Sequence, residues 1–398
     1  MNFMKNKLLL LAPVIALVII FIFSLAQIPS AKQSPKGLPI AIVNEDGGVD
    51  IPGQGNRNFG QQVADMIAKM TAQTAGDKEP AVKWIAVPDA ERAKEGMNRQ
   101  EYYGALVIPE DYSRKQASLH TPAPSPPSIE IYVNQGMNAM ASNIVTQLLN
   151  GIVDNMNHNV SAGLAEGIIK QGGTLTAEQA AVLASPITKN VHVVNQTGTS
   201  ANAPVAMFQP LWIASLAGAA LIWLSLKRSE TSGRKGKTAA VSAQVLAGAI
   251  AAVAIGFGLA WFADGMLGFD IPRFIDTALF LSVASFSFLF MILAVLLWLG
   301  MAGIPIFILL MFFGAPLLAL APEAMPAFYR DWVFPWLPMR FMTDGLRELL
   351  FFGKEFEWSL PVSVLVWIGL GSILAALLSP LKPVARKETK GRAAESAS

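Results

Sequence analysis

The sequence contains no cysteine. That excludes a disulfide framework, a thiolate metal site and a thiol nucleophile. Histidine is almost as scarce: His120, His158 and His192 are the only three, and their spacing matches no metal-ligand pattern. Charge is the third shortage. Charged residues make up 15% of the 398, against 53% hydrophobic ones, and the net charge is +2, which leaves no basic field for nucleic acid. The shortage is uneven. No charge occurs between Lys189 and Lys227, in 238–263, in 277–322 or in 358–381.

What fills those stretches is apolar on every side, whereas a soluble helix keeps a polar stripe toward water. About 20 such residues cross the roughly 30 Å hydrocarbon core of a bilayer. The run 277–322 is therefore long enough to cross twice, with Gly300-Met301-Ala302-Gly303 as the point of reversal. A further apolar run, 8–26, follows Lys5 and Lys7. Ser24-Leu25-Ala26 resembles a signal-peptide cleavage site, but the run exceeds the roughly 7–15-residue core of such peptides and reads as an uncleaved anchor. Six transmembrane helices are expected.

Basic residues set the orientation. Lys5 and Lys7 precede the first span. Lys227, Arg228, Arg234, Lys235 and Lys237 separate the second from the third, and Lys382, Arg386, Lys387, Lys390 and Arg392 follow the sixth. With six spans all three clusters share the cytoplasmic side, as do both termini. The expected fold class is a polytopic α-helical membrane protein with a large extracytoplasmic α/β domain inserted between helices 1 and 2. Its parts are an anchor (1–27), the α/β domain (28–205), a five-helix membrane domain (206–380) with an interfacial or re-entrant segment near 323–356, and a basic tail (381–398).

Within 28–205, short apolar runs alternate with helical patterns. Strands are expected at 38–43, 82–87, 103–109, 129–133 and 191–194, and helices at 59–71 and from the Asp89 cap to Asn98. Pro109 opens a helix carrying Tyr112. Ile144, Leu148, Ile152, Met156, Val160, Leu164 and Ile168 recur every four residues along a long helix, which either lines its own domain or forms a stalk or dimer contact.

Catalytic patterns are not found. Gly236-Lys237-Thr238 looks like the end of a phosphate-binding loop, but Thr231 stands where the motif needs glycine and no strand precedes it. Asn44-Glu45-Asp46 beside Gly47 and Gly48 reads as a strand-end turn, with a bound cation as the lesser alternative. No cofactor is indicated. The spans carry almost no ionisable residue, so the chemistry of ion-coupled transport is missing from them. Gly256, Gly258, Gly300, Gly303, Gly314, Gly369 and Gly371 offer close helix packing, while Pro305 and Pro316 are candidates to kink the fifth span. In the segment 330–354, Trp332, Trp336, Arg340, Arg347 and Lys354 suit a helix lying at, or dipping into, the outer interface, which either lids the bundle or merely connects spans.

Three stretches resemble the membrane subunits of the ABC-2 type transporter superfamily, most closely its YhgE/Pip (phage-infection-protein) branch. They are Leu38-Pro-Ile-Ala-Ile-Val-Asn-Glu-Asp-Gly-Gly48, Gly104-Ala-Leu-Val-Ile-Pro-Glu-Asp-Tyr-Ser113 and Leu337-Pro-Met-Arg-Phe-Met-Thr-Asp-Gly-Leu-Arg347. Asn44, Glu45, Asp46, Gly104, Pro109, Pro338, Asp344, Gly345 and Arg347 are the positions that carry the likeness. The resemblance implies a bacterial cell-membrane permease, not itself an enzyme. It would work as a homodimer or paired with a related permease, driven by a separate cytoplasmic ATPase and exporting a drug, lipid or envelope component. Lys227, Arg228, Arg234, Lys235 and Lys237 are the expected contact with that ATPase. Many such permeases place an amphipathic helix before the first span, where this sequence has only 1–7. The alternative implied by the same branch is a non-transporting surface protein, a phage-adsorption determinant or a secretion-assembly scaffold.

Overall fold

The computed structural model describes residues 7–381, apart from 32–34, 54, 76–78, 122, 171–175 and 229–232; the side chains of 7–16, 70–75, 226–228 and 233–235 are also outside the description. Helix α1 (Lys7–Ala31) leads into strand β1 (Leu38–Asn44) and a small hairpin, β2 (Val49–Ile51) with β3 (Gly55–Arg57). Then follow α2 (Phe59–Ala75), β4 (Val82–Val87), α3 (Ala90–Asn98), β5 (Gly104–Ile108), α4 (Tyr112–Ser118), β6 (Ser128–Asn134), α5 (Ala139–Lys170), α6 (Ala177–Ala184) and β7 (Thr188–Val194). After these come the short α7 (Ala203–Ala206) and the helices α8 (Phe208–Arg228), α9 (Gly233–Gly265), α10 (Phe274–Leu299), α11 (Ile304–Leu318), α12 (Pro338–Phe351) and α13 (Leu360–Leu378).

The five main strands form one mixed sheet in the order β4-β1-β5-β6-β7, antiparallel only between β5 and β6. Side chains on a strand alternate between faces, and here both faces are buried, so β1 and β5 read as nearly continuous apolar runs. Leu38, Ile40, Leu106 and Ile108 face one core with α2, α4 and α5. Ala41, Val43, Ala105 and Val107 face a smaller one with Ala93 and Met97 of α3. Gly104 is where α5 comes closest to the sheet. A Cβ there would lie 2.6 Å from the Tyr132 carbonyl oxygen and 2.8 Å from Val145 Cγ1.

Helix α5 is one unbroken helix of 32 residues, and its buried stripe matches the expected one only at Met156 and Leu164. Val145, Leu149, Val153 and Met156 are buried, whereas Ile144, Leu148 and Ile152 only flank that core. A strict four-residue step advances 400°, so it drifts off any one face. The burial corrects this with a three-residue step from Val153 to Met156. The stripe lines the sheet, and α5 is not a free stalk over these turns.

The apolar helices gather around α10, which packs against α8, α9, α12 and α13. Trp212 is fully buried there. Its ring lies 5.0 Å from that of Phe288 and its indole N–H donates to the Phe307 carbonyl at 3.3 Å. Gly256 and Gly369 let neighbours approach, since a Cβ at Gly256 would strike the Ser282 backbone and one at Gly369 the Phe286 ring. Gly258 and Gly371 face open space and carry no such packing. By length and composition, four helical stretches suffice to cross a membrane among the described residues: Ala203–Ser225, Gly236–Gly265, Phe274–Leu318 and Leu360–Leu381; Leu17–Ala31 is a shorter apolar helix.

Phe274–Leu318 is not one straight rod. Gly300 has φ 67°, a left-handed backbone natural only to glycine, and it is followed by a 3-10 turn, Gly300–Gly303. At one end of the bundle Gly300 lies beside Trp223, and the Trp298 indole N–H donates to the Ala375 carbonyl at 2.8 Å. At the other, Arg273 pairs with Glu355 at 2.7 Å, and the Asn138 side chain donates to the Ala319 carbonyl at 3.2 Å. The chain therefore runs down α10 and back up α11. Pro305 opens α11 and does not kink it, because a first-turn proline has no intrahelical partner to lose. Pro316 falls in the helix's last turn. Helix α11 pairs with α1, where Phe23 meets Phe312 edge-on at 4.4 Å.

The break expected over 227–238 is much shorter. Helices α8 and α9 continue to Arg228 and from Gly233. The side chains of Lys227, Arg228, Arg234 and Lys235 lie outside the described residues, as do all of 382–398; Lys237 is half-buried.

Candidate functional site

Two constellations collect the residues singled out in the sequence. The first is at the end of β1. Asp46 is 6% exposed, and its carboxylate accepts from the Ser113 amide at 2.8 Å, the Gly60 amide at 3.0 Å and the Ser113 hydroxyl. Ser113 Oγ in turn accepts from the Phe59 amide at 2.7 Å. Glu45 accepts from the Ala90 amide at 2.9 Å, and Asn44 Oδ1 accepts from the Asp46 amide at 3.2 Å. The Asn58 side chain closes the turn by donating to the Asp46 carbonyl at 2.7 Å. One strand end thus supplies carboxylates to the first turns of α2, α3 and α4, where unpaired amides and the helix dipole both favour negative charge. Gly60 is required here: a Cβ would lie 2.5 Å from Asn44 Oδ1.

The strand-end turn accounts for these carboxylates without a cation. The oxygens of Asp46 are spent on amides, and among the described residues no group of three or more acidic or imidazole side chains could hold a metal. Pro109 ends β5, and its carbonyl accepts from the Tyr112 amide at 3.1 Å, which starts α4. Burial, with Asp46 nearby, pushes the Tyr112 phenol well above its ordinary value.

The second constellation joins the sheet to the bundle. Pro338 stands in the first turn of α12. Gly345 lies against the Phe280 ring, leaving no room for a Cβ. One face of α12, with Met339, Met342 and Leu346, is fully buried, while Trp332 and Trp336 before it are exposed. Arg340 and Arg347, placed from the sequence on a helix at or dipping into the outer interface, are half-buried and largely buried. Arg347 donates to Asp344 at 2.9 Å and to the Leu318 carbonyl at 3.1 Å. Arg340 lies 3.6 Å from the same carboxylate, between the rings of Phe334 and Phe341. Asp344 is thus shared by two guanidinium groups.

Across the junction, the Tyr103 hydroxyl donates to Glu323 at 2.9 Å. Burial and the adjacent Glu323 carboxylate push that phenol far above its ordinary value, with Arg347 opposing. Tyr103, one residue before the second motif stretch, thus lies within electrostatic reach of Asp344 and Arg347 of the third. Tyr103, Ser113, Asn138 and Glu323 were given no role from the sequence. Ser113 and Tyr103 stand in or beside a motif stretch, the only hint the chain offers; Glu323 carries none.

Between these elements lies a cavity of about 270 Å³, level with the ends of α1 and α11. Arg347, Ser30, Gln135, Asn138 and Asn202 supply its polar wall, and Met140, Pro316 and Leu320 are among its apolar groups.

No curated protein is significantly similar to the sequence. Among solved structures, a domain assigned to an ABC type-2 transporter of Thermotoga maritima MSB8 aligns at 16% identity and a TM-score of 0.25, over 39% of this chain and 86% of that one. That likeness is too weak to carry an argument. The family described as ABC-2 family transporter protein matches residues 7–379, nearly the whole length. The chain belongs to the ABC-2 family of membrane transporter proteins.

Proposed function

We propose that this chain is the permease half of an exporter, moving a hydrophobic or amphipathic compound with energy from a separate cytoplasmic ATPase. In this reading α1, α8, α9, α10, α11 and α13 cross the bacterial cell membrane. The sheet lies outside, both termini lie inside, and two copies or a related pair complete the path. The observation that carries the reading is the nature of the polar groups buried in the bundle. On the crossing helices, among the described residues, they are neutral: Ser215, Gln244, Thr277, Ser282, Ser285 and Ser287; the charged Arg340, Asp344 and Arg347 sit on α12, outside those helices. Hydroxyls and an amide can line a path or join helices, but none of them titrates, so they do not carry the proton step of proton-driven transport. In a transporter family member, that supports an external engine.

The reversal at Gly300–Gly303 supports the count of six crossings, because it turns a 45-residue apolar stretch into two. The α8–α9 end, with Lys227, Arg228, Arg234, Lys235 and Lys237, is then the candidate seat for the ATPase. The test is co-purification of the tagged chain in nanodiscs. An ATPase should accompany it and should be lost when Arg234, Lys235 and Lys237 are changed to Glu. Recovery of the chain alone, with unchanged compound sensitivity in the deletion strain, would sink the proposal. An impermeant thiol reagent on intact cells should label a cysteine placed at position 69, exposed on α2, and spare one at position 235.

A further inference from the structure

The cavity beside Arg347 has properties that packing alone does not require. Arg347 is largely buried, with a side-chain exposure of 13%. Its two terminal nitrogens each make one bond, to Asp344 and to the Leu318 carbonyl, and no hydrogen bond is formed by its Nε among the described residues. Guanidinium carries five N–H donors in a planar fork suited to oxyanions. Asp344 is divided between Arg340 and Arg347, so these three groups leave one positive charge. Glu323, the other nearby acid, keeps its charge but is turned toward Tyr103 on the sheet side and does not line the cavity. Neutral polar residues complete the wall: Gln135, Asn202 and Ser30.

Size and surroundings narrow the ligand. At about 270 Å³ the cavity is slightly below the roughly 300–1,000 Å³ of sites that enclose whole drug-sized ligands. It fits a headgroup better than an entire amphiphile. It lies level with the helix ends, at headgroup depth for a bundle that crosses a bilayer. An apolar track leaves it along the α1 side of α11: Pro316 lines the cavity, and Phe312, edge-on to Phe23 of α1, and Ile308 precede it at four-residue steps, each turned about 40° from the last. Both are 38% exposed despite their size. We propose that the cavity seats the phosphate-bearing headgroup of an amphiphile through Arg347, with the acyl chain lying along Phe312 and Ile308.

The claim concerns binding and does not depend on transport or on an ATPase. The full chain, purified in detergent, is titrated with dihexanoyl phosphatidylglycerol, with inorganic phosphate and with the uncharged dihexanoylglycerol. The phosphatidylglycerol should bind at least about tenfold more tightly than either of the others, which each lack one half of the recognised chemistry. Arg347→Gln should weaken it by about tenfold or more, the loss of one charge-assisted contact. Because that change also frees Asp344, Ala201→Trp serves as a second variant. It fills the cavity, leaves Arg347 paired, and should weaken binding as much with an unchanged melting curve. Equal binding of dihexanoylglycerol, or full affinity in Ala201→Trp, would overturn the proposal. Equal binding of inorganic phosphate would replace the amphiphile with a free anion and overturn the acyl-chain part.

Discussion

Replacing Asp46 by alanine tests the idea that the Asn44-Glu45-Asp46 turn clamps helix ends to a strand. The substitution removes three accepted hydrogen bonds: from the Gly60 amide, the Ser113 amide and the Ser113 hydroxyl. Bonds to a charged acceptor contribute about 1.5–3 kcal/mol each, and a buried donor left without a partner costs a similar amount. Water entering the space of the missing carboxylate recovers part of this, so a local loss of about 3 kcal/mol is expected. That corresponds to amide exchange on the order of 100-fold faster at the first turns of α2 and α4. The start of α3 supplies the internal control, because the Ala90 amide is held by Glu45 and not by Asp46. Hydrogen exchange read by mass spectrometry on the full chain in nanodiscs separates the three segments. Asp46→Asn keeps one acceptor oxygen and should lose less. Unchanged exchange at α2 and α4, or equal acceleration at all three helix starts, would refute the clamp.

Gly345→Ala should lower the melting temperature of the reconstituted protein, since its Cβ collides with the Phe280 ring and overpacking costs about 1–3 kcal/mol; Gly371→Ala, facing open space, should leave it unchanged. The Tyr103 phenol should stay protonated above pH 10 in an absorbance titration. Its raised value stabilises the fold fully below pH 10, the ordinary value, and that contribution is lost as pH rises further; Tyr103→Phe should reduce the dependence, leaving the part that belongs to Tyr112. Gln244 donates to the Ile222 carbonyl at 2.6 Å while its own oxygen is buried without a partner. Gln244→Met should therefore shift stability by less than about 1 kcal/mol by chemical denaturation, the gain of removing an unpaired oxygen offsetting the lost interhelical bond.

The central role of α10 shows where composition stops being informative. Its apolar run resembles those of α9 and α13, yet Phe280, Phe288 and Phe290 are fully buried while Trp261, Trp367 and Leu374 on the other two helices are largely exposed. In a membrane an outward-facing residue is as apolar as an inward-facing one, so hydropathy does not separate core from lipid-facing surface. Small residues did mark contact, but only Gly256, Gly303, Gly314 and Gly369 of those singled out have a neighbour within clashing distance of a Cβ.

The linear sequence determined what depends on neighbours along the chain. The apolar runs, the alternation of strands with helices, the Asp89 cap of α3 and the turn at Gly300 follow from local sterics and solvation. Only the tertiary structure decided what depends on residues far apart. Asp46 became a cap because Ser113, 67 positions later, comes within 2.8 Å. Tyr103 acquired a partner 220 positions away in Glu323. Arg347 is held by the Leu318 carbonyl, left free where α11 ends. A helix terminus exposes unpaired amides or carbonyls whatever its sequence, and which side chain satisfies them is settled only when the elements pack.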